Sequence, residues 1–77
     1  MEGLMSIAEF RKHRAMPFVK IGMRVYSGYL ENHGTIIGAN SSGNLNVRFD
    51  GERKPKNCHP WFMMTYFSQG EVVAEYN

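Results

Sequence analysis

Residues 44–50, Asn-Leu-Asn-Val-Arg-Phe-Asp, put Leu45, Val47 and Phe49 in strict alternation with Asn46, Arg48 and Asp50, and Gly51 follows at once. Successive side chains of a strand leave on opposite faces, so this pattern describes a strand with one apolar face and one wet face. A slip of one residue would turn all three apolar side chains to water, which pins the register of any partner strand. Asp50-Gly51 is a strong hairpin signal, because glycine reaches the positive φ angles that such turns need. The chain is therefore organised around antiparallel pairing, with Leu45, Val47 and Phe49 in the core.

The flanking segments read the same way. Met23 and Val25 alternate with Arg24 and Tyr26, "GTIIGA" is a β-branched run between Gly34 and Gly38, and "NSSGN" at 40–44 is a turn cluster. A further strand is expected over about 53–59, at an edge, since Pro55 has no N–H for a ladder. His59-Pro60 then interrupts the chain before Trp61-Phe-Met-Met-Thr-Tyr-Phe67. These strands are too few for a sandwich. They predict a mainly β fold: a small SH3-like barrel of about five strands over residues 20–67, with 68–77 a tail or an extra strand. A chain of 77 residues makes one domain. It buries only about 60% of the surface its unfolded form exposes, so the core is thin. Val25 and either Ile36 or Ile37 complete the expected core.

Ahead of the strands, residues 6–15 carry a helix signature. Ser6 and Glu9 have capping-box spacing, and Met5 and Phe10 occupy the positions of a hydrophobic staple. Arg11, Lys12 and Arg14 fall in the last turn, where cations suit the helix dipole. Pro17 forces Met16 out of helical conformation and ends the segment near Ala15. Ile7, Ala8, Phe10 and Ala15 form one stripe. So short a helix needs a surface to dock on, and the apolar run at Trp61–Met64 is the expected one.

Four short motifs, Gly22-Met-Arg-Val25, Gly34-Thr-Ile-Ile-Gly38, Leu45-Asn-Val-Arg-Phe-Asp-Gly51 and His59-Pro-Trp-Phe62, follow this basic helix. The arrangement resembles a group of small phage and prophage proteins, and residues 22–51 resemble the opening of SH3-like barrels of the KOW and Tudor kind. In the phage group the aromatic slot after His-Pro falls where Phe62 stands, so Trp61 sits one place early. The resemblance implies a barrel fold and a phage-like origin, and no activity. The 22–38 portion also faintly resembles the plasmid-borne dihydrofolate reductases, oligomeric barrels whose site lies at a pore between chains. The Val-Gln-Ile-Tyr segment that lines that pore has no counterpart here.

Catalysis finds little support. Cys58 and His59 are adjacent, so on an extended chain they point apart and cannot share a proton. His13, His33, Cys58 and His59 lack the spacings of a zinc site. "GANSSGN" lacks the lysine and following helix of a phosphate loop. No catalytic residue, metal or cofactor is expected. No apolar run approaches the eighteen or so residues of a membrane span. Charges that follow rather than precede the first apolar residues, and a single cysteine, point to a reducing, cytoplasmic setting.

What remains is binding. The net charge of +2 is mild. Two groups stand out among its cations, Arg11 and Arg14 with Lys12, and Arg53 with Lys54 and Lys56; Tyr26, Tyr29 and Trp61 offer ring faces. Phosphate contacts need cations on mobile stems, and base stacking needs exposed rings. The expected function is a small non-catalytic module contacting DNA or RNA, or a protein of a nucleic-acid-handling complex. Alternatives are a protein-interaction or virion module, with a phage or host protein or a second copy of the chain as partner. The plainer reading of the same residues is solvated charge and core aromatics, with lysine and proline guarding a sheet edge against aggregation.

Overall fold

The computed structural model describes residues 4–77. Seven strands and one helix follow in the order β1 (Leu4–Met5), α1 (Ile7–Arg14), β2 (Arg24–Ser27), β3 (Asn32–Asn40), β4 (Leu45–Phe49), β5 (Lys56–Cys58), β6 (Met64–Ser68) and β7 (Glu71–Glu75). The strands form one antiparallel sheet in the order β5-β4-β3-β2-β6-β7, and β1 pairs with the far end of β3. No helix among the described residues is long and apolar enough to cross a membrane.

The expected alternation in β4 holds. Leu45, Val47 and Phe49 are buried, while Arg48 is exposed. Ile36 lies directly opposite Val47, and a bulge between Ile36 and Gly38 places an extra residue in β3. That bulge decides between the two isoleucines: Ile36 is in the core and Ile37 faces water. Gly34 faces Phe49 two positions from Ile36, on the same face. A Cβ there would lie 2.7 Å from Val47 Cγ1 and 3.0 Å from the Arg48 carbonyl. Gly34→Ala is therefore expected to cost about 1–3 kcal/mol by overpacking, measured as a lowered denaturant midpoint.

The five-stranded barrel is not what forms. The described sheet has seven strands and does not close, because β7 pairs with the outer edge of β6 and leaves β5 with β4 as its sole partner. Residues 59–63 cross the gap as turns rather than as strand. The strand expected over 53–59 shrinks to Lys56–Cys58, and Pro55 with the basic run before it stays outside the ladder. The C-terminal segment provides β7.

Ser6 caps α1, accepting from the Glu9 N–H at 3.0 Å while the Glu9 carboxylate accepts from the Ser6 N–H at 3.1 Å. Ala15 closes the helix in left-handed conformation at φ 56°. Of the expected stripe only Phe10 is fully buried. Ile7 is half-buried, and Ala8 and Ala15 face solvent. The helix docks through Phe10, with Ile7 packed against the same core, and the segment after the helix adds Met16, Val19 and Met23. Trp61, Phe62 and Met63 remain exposed, and the buried member of that run is Met64.

Candidate nucleic-acid interface on the outer face of the sheet

The core-facing alternation in β2, β3 and β6 dictates what those strands show to water. With Val25 and Ser27 inward, Arg24 and Tyr26 face out; with Gly34 and Ile36 inward, so do His33 and Thr35. With Met64 and Tyr66 inward, Thr65 and Phe67 face out. Directly opposed residues share a face, and Tyr26 stands between His33 and Thr65 while Arg24 stands between Thr35 and Phe67. The result is a patch of three rings. Tyr26 and His33 have centroids 4.8 Å apart, and His33 leans across β2 to within 5.8 Å of Phe67. The patch opens into a groove of about 390 Å³ lined by Lys20, Ile21, Arg24, His33, Phe67 and Gln69.

Cations border the rings. Arg48 lies across Thr35 from Arg24, on the same face. Arg24 is committed to Asp50 through two bonds of 2.9 and 2.7 Å, and also donates to Thr35 Oγ1 at 3.0 Å. That hydrogen bonding holds the Asp50 carboxyl below the usual carboxylate range and raises the Arg24 guanidinium. Lys20 and Arg48 form no ion pair among the described residues.

The residues singled out from sequence are scattered by the fold. Tyr26 is in the patch. Arg11 donates to the Val19 carbonyl at 2.6 Å, tying the helix to the segment that follows it. Arg14 donates to the Gly43 carbonyl at 2.8 Å and lies 4.9 Å above the Trp61 ring. Both arginines thus hold the helix in place, and one face of Trp61 is already covered. Gly43 sits under the end of α1, where a Cβ would lie 2.8 Å from the His13 ring.

Arg53 and Lys54 lie beyond the other end of β4, a five-residue strand of about 17 Å. The two basic groups therefore do not share a groove. Lys56 pairs with Glu52 at 3.0 Å. Tyr29 stacks obliquely on Phe62, 5.6 Å away, at the unclosed seam of the sheet.

Cys58 and His59 do not cooperate. Burial pushes the Cys58 thiol up, which favours the unreactive protonated form. His59 Nδ1 accepts from the Trp61 N–H at 3.1 Å, so it serves the turn before β6. No three His, Cys, Asp or Glu side chains converge among the described residues.

From sequence His33 was weighed only as a metal ligand, and Phe67 was not singled out. Their signal was present, since both stand one position from a core residue in segments of period two. No protein-family model matches the chain, and no match is found among curated proteins or solved structures.

Proposed function

We propose that the chain is a small non-catalytic binding module of phage type, working inside the host cell, whose outer sheet face receives single-stranded nucleic acid. In this reading the open sheet is a relative of the SH3-like barrels with its seam left apart. The observation that carries the reading is the Tyr26–His33–Phe67 patch. A thin core rewards burying every ring it can, yet three lie together on the water side of the central strands. Rings presented this way stack on unpaired bases without regard to sequence, and neighbouring cations meet the phosphates. A duplex keeps its base faces stacked on each other, so it gains only the phosphate contacts.

Lys20 and Arg48 take the phosphate role. Arg53 and Lys54, past the end of β4, add to the positive field that steers the strand. Each phosphate contact removed flattens the slope of log affinity against log salt by about 0.7 on single strands. Lys20→Ala with Arg48→Ala is therefore expected to flatten it by about 1.4, at unchanged melting temperature, because exposed charges contribute little to stability. Asp50→Asn works in the opposite direction. It releases Arg24 from its carboxylate and is expected to tighten binding and steepen the slope. An unaltered slope in both variants would remove the outer face from consideration.

A further inference from the structure

The sheet ends in two bare edges. β5 pairs with β4 alone, β7 pairs with β6 alone, and among the described residues no other backbone–backbone hydrogen bond reaches residues 56–58 or 71–75. The edges carry opposite charge. Arg53, Lys54 and Lys56 precede and begin β5, against Glu52 alone, whereas β7 reads Glu-Val-Val-Ala-Glu with an acid at each end.

Each edge also exposes apolar surface. Beside β5 lies a cleft of about 250 Å³, lined by Cys58, Leu30, Met64 and the rings of Tyr29 and Phe62. Those rings are 69% and 52% exposed. They are held together by a bond of 2.8 Å from the Gly28 N–H to the Met63 carbonyl, which joins their two loops. On β7, Val72 and Val73 are both exposed.

We propose that these edges fit each other: β7 of one copy adds as a strand to β5 of the next and seats a valine in the cleft that Tyr29 and Phe62 line. Strand direction permits it. Neighbouring strands alternate along the antiparallel order, so β5 and β7, at its two ends, run in opposite senses. A β7 laid beside the next copy's β5 therefore continues the antiparallel pattern. A bare edge offers alternating N–H and C=O groups, which an extended backbone complements.

Charge selects this pairing over the symmetric ones. An antiparallel β7–β7 pair centred on Val73 sets Glu71 against Glu75 of the other copy, and a β5–β5 pair brings the cations together. Like charges directly opposed disfavour both. A head-to-tail contact leaves one edge unused on each terminal copy, so it propagates into a ring or an open chain rather than stopping at two.

The test is association of the full chain at low salt, followed by sedimentation velocity across a concentration series. Wild type is expected to grow in mass beyond a dimer as concentration rises. Glu71→Lys with Glu75→Lys, and separately Arg53→Glu with Lys54→Glu, are each expected to stay monomeric. An equal mixture of the two variants is expected to associate again, because each supplies the partner the other lost. Circular dichroism of each variant alone checks that the fold survives the reversals. In the wild type, contacts between amides of 56–58 and 71–75 of different copies are expected by isotope-filtered NMR. A wild type that stays monomeric up to about millimolar concentration, or an association indifferent to both reversals, would overturn the proposal.

Discussion

Tyr66→Ala is expected to leave the domain largely unfolded at room temperature. Tyr66 is fully buried, packs edge-on against Phe18 and Tyr76 with centroids 5.5 and 5.9 Å away, and donates its hydroxyl to the Pro60 carbonyl at 2.6 Å. It thus ties β6, β7, the segment after the helix and the strap across the open seam into one core. Truncating a buried aromatic to alanine costs about 3–5 kcal/mol, comparable to the whole stability of so small a domain. Tyr66→Phe keeps the ring and removes the bond, so the loss should fall to about 1–2 kcal/mol.

The same residue sets the alkaline limit. Burial raises the pKa of the Tyr66 phenol, and that of the Cys58 thiol as well. Above the ordinary values of about 8.5 for cysteine and about 10 for tyrosine, the unfolded chain releases protons that the native state retains. Stability is therefore fully present below those values and falls as pH rises past them, by up to about 1.4 kcal/mol per pH unit for each group. Denaturant melts from pH 8 to about 11 should show the decline, with a shallower fall above about pH 10 in Tyr66→Phe. A variant that declines as steeply as wild type would mean that the phenol ionises freely in the native state.

The largest expected effect on binding comes from Tyr26→Ala combined with Phe67→Ala. Stacking contributes about 1–3 kcal/mol per base, so losing both rings should weaken a single-stranded oligonucleotide by about 30-fold or more. Both side chains are partly exposed on the outer face, so the fold should persist. Fluorescence anisotropy with a labelled strand measures the loss, and thermal melting checks the fold. Because the rings carry no charge, the salt slope should stay as it was while the affinity falls. A slope that changed along with affinity would assign the rings a role in placing the cations instead.

Much of the sheet was legible because period-two segments state their own register. Leu45, Val47 and Phe49 could face only one way, and Asn40 to Asn44 read as the turn that joins β3 to β4. The capping pair Ser6 and Glu9 was equally local. What could not be read was set at long range. The bulge at Ile37 depends on how β3 meets β4, and the sheet stays open with β7, not β5, on the outer edge of β6. Met16 and Val19 lie in a segment with no regular period, so nothing local marked them as core.

The candidate site follows the same division. Tyr26 was visible as the outward member of an alternating strand, and the same rule extended to β3 and β6 points to His33 and Phe67. Arg11 and Arg14 looked like phosphate ligands because sequence shows a charge but not the carbonyl it meets. Val19 and Gly43 hold them through backbone oxygens, from 8 and 29 residues away.

The decisive experiment is NMR titration of the isotope-labelled chain with a short single-stranded DNA or RNA at about 50 mM salt, where phosphate contacts are strongest. Saturable binding is expected, with amide and ring shifts concentrated at Tyr26, His33 and Phe67 and extending to Lys20 and Arg48. A duplex of the same length should bind more weakly and leave the rings unmoved. No binding under these conditions, or shifts confined to the 53–56 loop with the three rings silent, would contradict binding at this face.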